Sequence, residues 1–247
     1  MNIIKSASKD LNNGEKAIWD FFSDYDKEFI LYHNFQLNKR EFDFCVLFEN
    51  KVIFMIEVKG FIANRIIKVT TNSLAYNKNN KPEYYSNPKK QVLKYRNDLI
   101  KEVGKDFLII PLVAYPFISE NEFYEKKLFT FSDRNETILK DELLTKKSFE
   151  DFINGIIEEY YNRKDLFTQI ISYSQIKKIR KVFETDQMIK NQIYKGENSN
   201  IKTIKNKYLD ANKRNIFSQL IVYEDLTDKI EKVYNLWEKG IKIYIFS

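Results

Sequence analysis

The stretch EFDFCVLFENKVIFMIEVKG, residues 41 to 60, limits what this chain can fold into more than any other. Residues 44–48 (FCVLF) and 52–56 (VIFMI) are apolar at every position, so neither face of either run is built to meet water. Runs this short suit strands buried on both sides, and Glu49-Asn50 between them is short enough for a hairpin. A sheet covered on both faces needs other layers, and the surrounding pattern offers helices: an α/β fold. The charges stand where the runs begin and end. Asp43 lies near the start of the first, and Glu57 and Lys59 close the second.

The rest of the chain supplies those layers. Residues 13–25 place Ala17, Ile18, Phe21 and Phe22 at helical spacing, with Asn12 or Asn13 as the cap. Glu15 then sits in the first turn, where the helix dipole favours an anion. Strands are expected over 29–36, 41–48, 51–59 and 65–71, and the polar, turn-rich stretch 72–88 reads as a loop. After Pro88 the pattern turns helical and stops at Gly104; a buried strand follows over 107–115 and a short one over 128–131. From about 148 the character changes. Two amphipathic helices are expected over 149–164 and 173–184, then a polar, basic stretch over 185–215. A strand over 217–223, a helix over 225–239 stopped by Gly240 and a strand over 241–246 complete the pattern. This divides the chain into a domain over 1–145 and a helical, then β-α-β, module over 146–247. The apolar pattern running to Ser247 reads as a strand tucked into a sheet, the alternative being a longer polypeptide.

Composition narrows the function classes. Lys and Arg number 41 against 35 Asp and Glu, a net +6, which suits a phosphate backbone. The charges are interspersed, however, so charge alone does not decide for nucleic acid. One cysteine, Cys45 in an apolar strand, and one histidine, His33, exclude a disulfide framework and a Cys/His zinc site. No apolar run is long enough to span a bilayer and no secretory leader opens the chain, so the expectation is a cytoplasmic protein without a membrane partner.

The charged residues of the opening stretch then demand a reason. Residues two apart on a strand share a face, so Glu57 and Lys59 point the same way, about 7 Å apart. A turn at 49–51 sets Asp43 opposite Glu57, side chains about 5 Å apart. Two carboxylates that close repel, and one takes up a proton unless a cation intervenes. A hard divalent ion such as Mg²⁺ answers this, with Lys59 beside it. A purely structural ion pair is the plain alternative, but a buried pair is a weak source of stability.

With these residues in place, the chain resembles the PD-(D/E)xK nuclease superfamily, and within it the nuclease-related domain, NERD. Four segments carry the resemblance in order and spacing: Gly14-Glu15, Glu41-Phe42-Asp43-Phe44, Glu57-Val58-Lys59-Gly60 and Asn87-Pro88-Lys89-Lys90-Gln91. It covers roughly residues 1–145 and implies a restriction-endonuclease-like core, a central mixed β-sheet flanked by helices, followed by a C-terminal α/β extension. It further implies Mg²⁺- or Mn²⁺-dependent hydrolysis of DNA. Glu15, Asp43, Glu57 and the Val58 carbonyl would hold the ion, and Lys59 would orient the attacking water. Gln91, with Tyr95 one helical turn later, matches a Gln-x-x-x-Tyr feature of several branches. Such a metal-assisted site needs no catalytic histidine, so His33 reads as a strand residue. Lys68, Lys89, Lys90, Lys94 and Tyr95 would hold DNA; with Lys78, Lys81, Arg96, Tyr76, Tyr84 and Tyr85 nearby, the mixture of cations and rings suits a flexible or single strand. A solvated loop is the other reading of that mixture. NERD-like domains accompany helicase or kinase modules, many in bacterial DNA processing or phage defence. No Walker A motif lies in these residues, so an ATPase partner would be on another chain or beyond Ser247. Two further readings stay open: a catalytically silent module that binds nucleic acid or a protein, and a C-terminal module that makes homo-oligomers or docks a partner around Tyr234 and Trp237.

Overall fold

The two apolar runs form the middle of a six-stranded sheet. The computed structural model describes residues 3–6, 10–49, 51–105, 107–164, 171 and 173–184. The elements expected over 217–246, with Tyr234 and Trp237, lie outside the described residues. In chain order the elements are β1 (Ile3–Ser6), α1 (Asn13–Ser23), β2 (Phe29–His33), a small hairpin of β3 (Gln36–Leu37) and β4 (Arg40–Glu41), β5 (Phe44–Phe48) and β6 (Val52–Val58). Then come β7 (Ile66–Val69), β8 (Ser73–Lys78), β9 (Lys81–Ser86), α2 (Pro88–Val103), β10 (Ile109–Tyr115), α3 (Glu120–Glu125), β11 (Thr137–Leu139), α4 (Lys146–Lys164) and α5 (Tyr173–Phe183).

The sheet runs β1-β2-β5-β6-β10-β11. β2, β5 and β6 pair antiparallel, and β1, β10 and β11 join in parallel, so the sheet is mixed, as expected. Alternation along β6 explains the layers. Phe54, Ile56 and Val58 face Ile18 and Phe22 of α1 and Phe149, Ile153 and Ile156 of α4. Ile53 and Met55 face the opposite way, towards Val92, Leu99 and Val103 of α2 and Ile179 of α5. Every β6 position is buried, and each large apolar side chain so covered contributes about 1.5–3 kcal/mol. No helix among the described residues is long and apolar enough to cross a membrane.

Two expectations are corrected. The stretch 72–88 is not a loop: β7, β8 and β9 form a separate antiparallel sheet. Its polar composition comes from one solvated face and from the β8–β9 turn, where Asn79 and Asn80 (φ 53° and 63°) give the two-residue geometry that matches strand twist. Residues 128–131 are not a strand. Lys127 turns left-handed (φ 57°) and a 3-10 turn follows over Leu128–Thr130, so Leu128 and Phe131, three apart, are buried together. The strand begun at Phe29 ends at His33 because Asn34 also turns left-handed (φ 52°). The short helix α3 has a signal in the residues: Ser119 and Glu122 make a reciprocal capping box.

Candidate active site

The start of α1 and the end of β6 meet without side chains between them. Asn12 caps α1, its side chain accepting from the Gly14 and Glu15 N–H groups at 2.9 and 3.0 Å. The Glu15 carboxylate reaches back to the Asn12 N–H at 3.2 Å and also accepts from the Asn12 side-chain amide. A Cβ on Gly14 would stand 2.9 Å from the Gly60 Cα and N and 3.1 Å from Val58 Cγ1. Only two glycines allow this approach, which brings Glu15 from one helical layer to the end of a strand whose Glu57 faces the other.

The hairpin register pairs Phe44 with Ile56, so its continuation sets Asp43 across from Glu57 as the spacing requires. Asp43 Oδ2 accepts the Val58 N–H at 2.6 Å, and Lys59 Nζ donates to Glu57 Oε1 at 2.6 Å. Glu57 is 4 % exposed. His33, buried on β2, places Nε2 3.4 Å from Glu15 Oε2 and rests against the rings of Trp19 and Phe44. Burial and the Glu57 charge push the Asp43 carboxyl up to about 7, against the pull of the Val58 N–H and Lys59. Burial also raises Glu57, with Lys59 opposing and Glu15 adding to the rise. Three carboxylates against one lysine therefore hold an excess of negative charge in a poorly solvated corner.

From the other layer, Asn87 caps α2, accepting from the Lys89 and Lys90 N–H groups at 2.8 and 3.3 Å, with Pro88 at the first helical position. Tyr95 is pushed up to about 12 by burial and by the charges of Glu57 and Asp43, so it lies within reach of their field. One turn earlier, Gln91 Oε1 is buried with no hydrogen-bond partner among the described residues. Tyr115 Oη, at the end of β10, is likewise buried without a partner among the described residues, and Glu57 raises its pKa further after burial. Unpartnered buried polar atoms are uncommon, and both of these belong to the layer that Glu57 faces.

The expected DNA-binding residues separate. Lys68 and Lys94 are exposed, and Lys90 Nζ donates to Asn72 Oδ1 at 2.6 Å. Lys89 turns inward: Nζ lies 2.6 Å from Glu136 Oε2 and donates to the Pro111 carbonyl at 2.7 Å, and burial lowers its pKa. It clamps α2 to β10 rather than standing at the surface. His33 and Tyr115 are polar residues beside the cluster that sequence reasoning did not assign to it. Both sit on strands without local motif, and only the β2–β5 and β6–β10 pairings bring them there.

The three acidic side chains of this corner, Glu15, Asp43 and Glu57, offer carboxylate oxygens, which suit a hard divalent ion. Among the described residues, however, no three His, Cys, Asp or Glu side chains stand as a ready-made cage. Each carboxylate is instead turned to a protein donor.

Residues 11–116 match the nuclease-related domain, NERD. The NERD match opens just before the Asn12 cap and closes just after Tyr115, and it contains Glu15, Asp43, Glu57, Lys59, Gln91 and Tyr95. Over this segment the chain is therefore similar to nuclease-related domains. Neither a curated protein nor a solved structure matches the chain.

Proposed function

We propose that the NERD segment is a divalent-metal-dependent hydrolase of DNA phosphodiesters. The observation that carries this reading is the meeting of Asp43, Glu57, Lys59 and Glu15 at one corner, through a hairpin register and a glycine–glycine contact. Glu15, Asp43, Glu57 and the Val58 carbonyl would hold Mg²⁺ or Mn²⁺, which supplies Lewis acidity and a water acidified towards neutrality. The chain's own residues do the rest. β5 and β6 hold the carboxylates rigidly, Lys59 donates to the attacking water or to a phosphoryl oxygen, and the Gln91 carbonyl accepts a hydrogen bond from the same water. The company that NERD-like domains keep favours a cytoplasmic nuclease of bacterial DNA processing or phage defence, working beside a helicase or other ATPase.

Labelled DNA should be cut by the purified chain with Mg²⁺ or Mn²⁺ and not with EDTA, and Lys59→Ala should slow cutting by about 10²–10³-fold, the usual loss of a charge-stabilising donor. Equal rates for the wild type and Lys59→Ala would end this reading. The second reading is a silent module that binds nucleic acid or a protein. It is favoured by the way each carboxylate already has a protein donor, Asn12 for Glu15, Val58 for Asp43 and Lys59 for Glu57. Calorimetry separates the two, since a silent module takes up no divalent ion.

A further inference from the structure

The β7–β8–β9 sheet lies in the chain between Lys59 and Gln91, two residues of the candidate site. Its inner face is fastened to the core. Leu74 and Tyr76 are buried, and Phe61 joins the rings of Tyr76, Tyr85 and Tyr115 at centroid distances of 5.1, 5.0 and 6.3 Å. Its other face carries exposed side chains. The register lines up Lys68, Ala75 and Tyr84 across the three strands. Alternation puts Pro82 and Ser86 on either side of Tyr84, so only small side chains surround that ring. Tyr84 is 76 % exposed and Ile67, at the β7 irregularity, 59 %. On this floor of small residues most of the tyrosine ring is open to solvent.

The charge around it is one-sided. Residues 60–97 hold eight Lys and Arg against a single acid, Glu83, a net +7 where the whole chain nets +6. Glu83 is itself held by Lys78 at 3.3 Å and by the Tyr85 hydroxyl at 2.6 Å. Lys89 and Arg96 are turned to Glu136 and to the Ile109 carbonyl, which leaves Arg65, Lys68, Lys78, Lys81, Lys90 and Lys94 at the surface. Essentially all of the chain's excess positive charge is therefore in this segment.

We propose that the outer face of the β7–β8–β9 sheet is a docking track for single-stranded nucleic acid, with an unpaired base stacked on Tyr84 and a phosphate held by Lys68. It rests on the nuclease reading only for where the strand leads, towards the corner of Asp43 and Glu57. An open aromatic ring takes any unpaired base, whereas the bases of a duplex are already stacked on one another. Lysines on strands track the backbone without reading sequence.

The test is fluorescence anisotropy with the full 247-residue chain in EDTA, which blocks cutting, using a labelled oligothymidylate and a duplex of equal length. The single strand is expected to bind more tightly than the duplex. Tyr84→Ala should weaken it by about tenfold, the usual loss for one base stacked on an aromatic ring, and Tyr84→Phe should not. Lys68→Ala should flatten the salt dependence by about 0.7, for the one phosphate that is no longer neutralised. Unchanged affinity in Tyr84→Ala, or a duplex preferred over the single strand, overturns the proposal. The two readings fail separately: Tyr84-dependent binding without any cutting leaves the track and removes the nuclease, and cutting with binding that ignores Tyr84 does the reverse. Tyr84 is exposed, so the variant folds, and a thermal melt confirms it.

Discussion

Asp43 is one carboxyl in an environment that resists its charge, and its proton should therefore be visible in the stability of the whole chain. Its folded value of about 7 lies above the value of 3.8 that the group has when free. The folded state then holds the extra proton, so this contribution is complete below pH 4 and is lost as pH rises through about 7. Asn keeps the acceptor for the Val58 N–H and removes the charge. Asp43→Asn should accordingly melt above the wild type at pH 8 in EDTA, with the gap closing towards pH 5. Added Mg²⁺ at pH 8 should raise the wild type more than the variant, since only a folded binding site gains from the ligand. A constant gap across pH would mean that Asp43 does not titrate in this range. Lys89 gives the opposite lesson about single residues. In the sequence it is one more cation in a basic stretch, but its partners Glu136 and Pro111 lie far along the chain, so nothing local marks it as internal.

At the scale of elements, the site depends on how closely α1 approaches β6. Gly14→Ala puts a methyl group against the Gly60 backbone, which has no flexible end to move aside. The helix must shift, at a cost of about 1–3 kcal/mol in urea unfolding. Cutting should fall by about 100-fold, because displacing Glu15 by an ångström is enough to spoil a reacting geometry. Gly155 is the control. A Cβ there meets nothing within 4 Å, so Gly155→Ala in α4 should stabilise by about 0.5–1 kcal/mol and leave cutting unchanged. The elements themselves were readable where the pattern is dense: β5, β6, α2, α4 and α5 all fall where periodicity puts them. The β8–β9 hairpin was hidden because alternation there is between aromatic and small or polar residues, and Asn79-Asn80 lacks the glycine that usually announces such a turn.

For the molecule as a whole, α5 closes the face of the sheet that Glu57 shares with α2. Phe183 packs on Tyr32 at 4.6 Å between centroids and on Phe35 and Phe42. Beneath it Arg180 holds the Glu184 carboxylate with two bonds of 2.9 and 2.8 Å, and the Tyr32 hydroxyl donates to the same group at 2.5 Å. The Glu184 side chain is fully buried. Arg180→Ala should thus cost about 3–5 kcal/mol in urea unfolding, since it strands a buried charge, and Arg180→Ala with Glu184→Gln should recover part of it. A loss below about 1 kcal/mol in the single variant would show that α5 is not fixed through this pair.

The residues alone determined that β5 and β6 are central, that α1 is capped at Asn12 or Asn13, and that Asp43 faces Glu57, because periodicity, capping and hairpin register are all local. They also determined that cations crowd between Gly60 and Asn97. Only the tertiary structure decided which of those cations face solvent, that Gly14 meets Gly60, and that His33 and Tyr115 border the carboxylates. These depend on pairings between segments distant in the chain, and such pairings are selected by how whole layers pack.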